Sequence, residues 1–162
     1  MSGEGIVLVV RRTIRASAER LFDAWTEPRH LQAWWGPRPV TCSGAEVDLR
    51  VGGRYRIDNA MPDGSTLTIE GVFREIRRPH KLVYTWQTAA PGARGEGESS
   101  IVTVRFEPVP GREGGDEDEE TEVIIVHEKV PDATARDSHE DGWTGCLDEL
   151  EAYVVRARGG RT

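Results

Sequence analysis

Residues 143–154 read WTGCLDELEAYV. Trp143, Leu147, Leu150 and Val154 stand at i, i+4, i+7 and i+11, a single apolar stripe along a helix, with acidic residues between them. The pattern predicts a long helix over residues 137–158. Ser138 and Asp141, three residues apart near its start, resemble a capping box with Asp in place of Glu or Gln. At 1.5 Å per residue this helix is roughly 30 Å long, enough to cross a whole sheet. A lone amphipathic helix must bury its stripe against another element, and the sequence before it supplies one.

Over residues 40–129 the apolar period is two. In 45–50 (AEVDLR), Val47 and Leu49 alternate with charged residues, and in 52–58 (GGRYRID) Tyr55 and Ile57 do the same. Leu82, Tyr84 and Trp86 share one side of 81–86 (KLVYTW). Val102, Val104 and Phe106 share one side of 101–106, and Val123, Ile125 and His127 share one side of 122–128. Such alternation predicts an antiparallel sheet with one covered and one wet face. Gly52-Gly53, Pro62-Asp63-Gly64 and Arg78-Pro79 carry turn chemistry. Two connections are longer, one at 89–97 and an acidic one at 111–122, which is expected to be an exposed loop.

Ahead of the sheet, residues 6–14 are rich in β-branched residues and read as a strand. Ser17 is a good N-cap for a helix burying Leu21, Phe22 and Trp25. A second short helix follows, with Thr26 as its expected cap and Pro28 in its first turn. Leu31, Trp34 and Trp35 form its apolar face, and Gly36 and Pro37 end it.

The expected architecture is therefore α+β in one domain spanning 1–162: a strand, two short helices, a curved antiparallel sheet, and one long C-terminal helix across the concave face. A single cylinder leaves a gap over a bent sheet, either packed with side chains or kept as a pocket. Adjacent helical positions point about 100° apart, so Trp34 and Trp35 are expected to divide the tasks of anchoring the helix and facing the cavity mouth. Both rings packing as core is the competing reading.

The net charge of −7 is local: segment 111–122 holds seven acids and one arginine, leaving the rest of the chain at −1. No basic stripe remains for nucleic acid. The acidic run is not an EF-hand, since Thr121 and His127 fall where that loop needs Gly and Glu. No metal ligand set or cofactor motif is present: GxSxG, HExxH, a P-loop and GxGxxG after a strand are all missing. Cys42 and Cys146 stand alone, which fits a reduced, cytoplasmic chain. Only five consecutive apolar residues lie near the N-terminus, too few for a signal peptide or a membrane span.

Five stretches in order carry a resemblance: WTEPRHLQAWWGP at 25–37, EVDLRVGGRYR at 46–56, LVYTW at 82–86, His127-Glu128 near Pro131, and GWTGCLDELEAY at 142–153. Across 12–153 the chain resembles the activator of heat-shock-protein-90 ATPase homologue family of the START-like (SRPBCC) superfamily, with the Bet v 1-like helix-grip fold. The acidic insert is a departure that touches none of these stretches. The resemblance implies binding of a small hydrophobic or aromatic ligand in the grip cavity, with no cofactor. It also offers two alternatives. One is a polyketide cyclase or aromatase-like enzyme; the other is a domain stimulating a chaperone ATPase. Family members that act as co-chaperones do so through an additional N-terminal domain, for which 162 residues leave no room. A monomer or homodimer is expected.

The cavity candidates are Trp25, Trp34, Trp35, Tyr55, Tyr84, Trp86, His127, Trp143 and Leu147. The aromatic members serve equally well as core. His127 turns inward at a strand end, where it could orient a ligand or act as a general base, or be satisfied by a neighbouring carbonyl or hydroxyl. His30 could flank the same opening or be exposed, while His80 and His139 are expected to be solvated.

Overall fold

The computed structural model describes residues 6–36, 39–89, 100–109, 120–130 and 132–159. Strand β1 (Ile6–Ile14) leads into α1 (Ala18–Thr26) and α2 (Pro28–Trp34). Strands β2 (Thr41–Val47), β3 (Arg54–Ala60), β4 (Thr66–Arg77), β5 (Lys81–Ala89), β6 (Ser100–Pro108) and β7 (Thr121–Val130) follow, and α3 (Ala133–Gly159) closes the chain. The seven strands form one sheet in the order β1-β7-β6-β5-β4-β3-β2, every pair antiparallel.

Register shifts bend this sheet. They fall between Ile6 and Leu8 on β1, between Cys42 and Gly44 on β2, and between Phe73 and Glu75 on β4; extra residues of this kind raise local twist and curvature. The β1 shift lies opposite Lys129, which takes a left-handed φ of 65°. The concave face carries the core. Ile14, Ile57, Phe73, Leu82, Val102, Val104, Phe106, Val123 and Ile125 are all buried there beneath the helices. Gly71 on β4 is required by close approach, because a Cβ at that position would lie 2.0 Å from the carbonyl oxygen of Thr85.

Ser17 caps α1 as expected, its hydroxyl accepting from the Arg20 N–H at 3.1 Å. Four local expectations need correction. Thr26 does not cap α2; Glu27 holds that position, and the Thr26 hydroxyl donates back to the Phe22 carbonyl at 2.9 Å. Trp35 lies just past α2 with extended backbone, so it diverges from Trp34 because the helix has ended. Leu49 is outside any strand and 38% exposed, since β2 stops at Val47 and residues 48–53 turn through Arg50 N–H to Asp48 carbonyl and Gly53 N–H to Arg50 carbonyl bonds. Helix α3 begins at Ala133, capped by the Asp132 carboxylate accepting from the Ala135 N–H at 2.8 Å, so Ser138 and Asp141 lie inside it rather than at its cap.

Strand β4, which the alternation did not single out, sits between the Pro62-Asp63-Gly64 turn and the Arg78-Pro79 turn. Of the acidic segment, Thr121 and Glu122 already belong to β7. Residues 111–119, residues 90–97 and Pro37 lie outside the described residues.

At 27 residues, α3 is about 40 Å long. Its stripe of Trp143, Leu147, Leu150 and Val154 is buried as expected. Arg12 of β1 ties it to the sheet through Asp148 at 2.7 Å and Glu151 at 3.0 Å.

Candidate functional site

All five tryptophans are buried, and they meet in one cluster between the sheet and the helices. Trp25 packs on Trp34 (centroids 5.2 Å apart) and stacks on Trp143 at 6.1 Å. Trp35 lies edge-on to Trp143 at 5.9 Å, and Trp86 lies 5.0 Å from Trp143. The concave space that could have been a wide chamber is thus filled with indole. Two spaces beside these rings, among the described residues, are an inner void of about 20 Å³ and an outer pocket of about 150 Å³.

The sequence candidates divide between these spaces. Trp35 and Trp86 line both, Trp143 lines only the outer pocket, and Trp25, Tyr55 and Tyr84 line only the inner void. Trp34, His127 and Leu147 line neither. Trp34 is a clamp between the two short helices, its indole N–H donating to the Ala24 carbonyl at 2.8 Å. Leu147 is fully buried beneath α3.

The outer pocket also has walls that the sequence reading missed. Asn59, Met61, Leu67 and Ile69 come from the β3–β4 hairpin, and His139, Gly142 and Cys146 come from α3. A signal for these existed. Residues 139, 142, 143 and 146 are spaced as one helical face adjoining the core stripe, and Asn59 continues the inward series of Tyr55 and Ile57.

Hydrogen bonding orders the cluster. Trp25 donates to the Tyr84 hydroxyl at 3.2 Å, Trp35 to Asn59 Oδ1 at 3.0 Å, and Trp143 to His127 Nδ1 at 3.1 Å. Since His127 Nδ1 accepts, its proton is on Nε2, which donates to Ser100 Oγ at 2.7 Å. The Ser100 hydroxyl in turn reaches the Trp86 carbonyl at 3.3 Å. Trp86 Nε1 alone, among the described residues' buried side-chain nitrogens and oxygens, has no partner. Leaving such a donor unpaired costs about 1–3 kcal/mol.

Burial, reinforced by neighbouring His139, pushes the His127 pKa down to about 3. The ring is neutral with both nitrogens engaged, the satisfied alternative among the readings of an inward histidine. His139 is half-buried rather than solvated, with its ring 4.4 Å from that of His127 and its pKa lowered by burial. Burial also pushes the Cys146 thiol up to about 12, which removes it as a nucleophile at neutral pH.

His30 does not flank this pocket. It lines a separate open cleft of about 430 Å³ with Ser17, Arg20, Asp23 and Tyr153, where its Nδ1 lies 2.6 Å from the Tyr153 hydroxyl. His30 Nε2 is 3.5 Å from Glu27, so the ring latches α2 to α3. Among the described residues, no group of three or more His, Cys, Asp or Glu is placed to hold a metal ion. No helix among them is long and apolar enough to cross a membrane.

Comparison with known proteins agrees with this architecture. The family model described as "Activator of Hsp90 ATPase homolog 1-like protein" matches residues 15–155. A crystal structure of a Chromobacterium violaceum protein is 27% identical with a TM-score of 0.76, covering 91% of this chain and 96% of its own. The AHSA1 protein of Silicibacter pomeroyi shares the fold at 22% identity and a TM-score of 0.79, covering 94% of this chain and 99% of its own. An Arthrobacter aurescens protein does so at 21% and 0.75, covering 94% and 87%. None of the curated proteins compared with the chain matches it.

Proposed function

The chain belongs to the activator of Hsp90 ATPase homolog 1-like family, and we propose that it serves there as a binding domain for a small hydrophobic or aromatic ligand, without catalysis of its own. The observation that carries this reading is the outer pocket of about 150 Å³, walled by Trp35, Trp86, Trp143, Met61, Leu67 and Ile69. An apolar cavity of about that volume accommodates a benzene-sized ring. The indoles occupy the centre of the grip, so the ligand sits at its mouth and is one ring in size.

The reading without catalysis is supported by the state of His127, the acid–base candidate of the sequence, and of Cys146; a cyclase reading would have to rest on His139, which lines the pocket. A cyclase or aromatase would need an acid or base that changes protonation near neutral pH. His127 has both nitrogens committed and a pKa near 3, and the Cys146 thiol stays protonated. A cytoplasmic setting is part of the same reading, supported by two free cysteines.

Titration with single-ring aromatics, read by tryptophan emission, tests the proposal, because three of the five indoles line the pocket. Saturable quenching is the expected result, and its loss in Gly142→Leu is the control. A Cβ at Gly142 meets open space on the pocket wall, so a leucine there fills the site without displacing core. Quenching by no member of a broad single-ring panel would overturn the reading.

A further inference from the structure

Each tryptophan N–H in the cluster but one has its own acceptor. Trp25 uses Tyr84, Trp34 uses Ala24, Trp35 uses Asn59 and Trp143 uses His127. Trp86 is nine-tenths buried and lines the outer pocket, yet its Nε1–H meets no acceptor. Of the two histidine rings beside it, His127 has its Nδ1 already engaged by Trp143, and His139 lies edge-on with centroids 6.0 Å apart without accepting the Trp86 N–H. Buried indole N–H groups ordinarily find a partner.

Trp35 and Trp86 are also the two residues that line both the inner void and the outer pocket, so together they form the partition between them. The two leaves differ in how they are held. Trp35 is pinned through Asn59, which is itself anchored by its amide donating to the Leu67 carbonyl at 3.1 Å. No hydrogen bond restrains the Trp86 ring, whose Nε1 is closed off from solvent, so an acceptor in the outer pocket reaches that N–H only when the indole tilts.

We infer that Trp86 is the polar anchor of the pocket, and that the ligand is a neutral single-ring aromatic compound carrying one hydrogen-bond acceptor oxygen, such as an aryl ketone, ester or ether. This inference rests on the binding reading above and sharpens it. Neutrality follows from the walls: among the described residues, Asn59, Ser138 and His139 are the polar side chains lining the pocket apart from the indoles and the Cys146 thiol, and no Lys or Arg is among them to pair with a carboxylate. The ring is read by the aromatic and aliphatic walls, and the oxygen by the one buried side-chain donor among the described residues that has no partner.

Ethylbenzene and acetophenone match in size and differ by a carbonyl, which makes them the test pair. The native chain is expected to bind acetophenone roughly tenfold tighter. Trp86→Phe is expected to bring the acetophenone-to-ethylbenzene affinity ratio to about one, whatever it does to the affinity of each. Amide-type NMR of the native chain gives an independent readout that needs no substitution. The Trp86 indole N–H resonance is expected to move downfield with acetophenone and to stay in place with ethylbenzene. Equal affinity for the two compounds with an unmoved Trp86 resonance would overturn the anchor and leave the binding reading standing. Binding of neither compound would overturn both.

Discussion

The indole N–H of Trp143 donates to Nδ1 of His127 across 3.1 Å, joining the long helix to the seventh strand inside the core. This bond decides the histidine's chemistry. It forces the proton onto Nε2, and protonation of Nδ1 would break it inside a dry environment.

Acid should therefore destabilise the protein through this residue. The folded pKa is near 3 and the ordinary value is 6.5. Between those values the unfolded chain binds more protons, so stability is full above about pH 6.5 and falls as pH drops toward 3. His139, also lowered by burial, adds in the same direction. His127→Gln should be less stable at neutral pH, with a flatter dependence of unfolding free energy between about pH 6.5 and 4. An unchanged slope in denaturant titrations would assign the acid sensitivity to other groups.

Asn59→Leu should cost about 1–3 kcal/mol in urea unfolding, because it strands the Trp35 N–H in the core and frees the Leu67 carbonyl. The change keeps the number and branching of side-chain heavy atoms, so a neutral result would mean that Trp35 finds another acceptor.

Gly71→Ala should lose about 3 kcal/mol, since its Cβ would collide with the Thr85 backbone rather than with a movable side chain. Equilibrium unfolding at 25 °C reads this directly, and a loss below about 0.5 kcal/mol would show that β4 and β5 can separate there.

Gly142→Ala should act in the opposite sense on stability, gaining about 0.4–1 kcal/mol in a helix where nothing obstructs the new methyl. The same methyl narrows the outer pocket, so affinity for single-ring aromatics should fall as the melting temperature rises. A rise in both would separate the pocket from this helix face.

Tyr153→Phe removes the 2.6 Å bond to His30 that latches α2 to α3. The expected loss is about 1 kcal/mol, or roughly 2–4 °C in melting temperature for a chain of this size. No shift in calorimetry would reduce this contact to surface decoration.

The fold was legible because its signals are periodic. Val102, Val104 and Phe106 announce a half-buried strand, and Trp143 to Val154 announces a helix, without reference to anything distant. Helix and strand ends were harder, since Asp132 caps α3 only through a side-chain geometry that sequence spacing leaves open and Leu49 has the right spacing but follows a turn. Strand β4 escaped because Gly71 interrupts its inward face between Ile69 and Phe73. At the site, the aromatic inventory was readable but not its arrangement. Whether five indoles line a chamber or fill it depends on ring orientation, and only atomic positions show that Trp86 lacks a partner while Trp35 has one. His127 turned inward as its alternation required; that its two nitrogens would be claimed by Ser100 and Trp143 is a long-range fact.

Helix α3 carries two regimes in one rod. Through residue 142 none of its side chains is fully buried, whereas Trp143, Cys146, Leu147, Leu150 and Val154 beyond that point are sealed. Glycine at 142, a weak helix former, marks the junction. Segments with few buried groups open at free energies well below global unfolding, so the first turns are expected to open more readily than the docked remainder. Ser138 and His139, on the rim of the outer pocket, belong to those turns. The amide protons of that half are expected to exchange before those beyond residue 142.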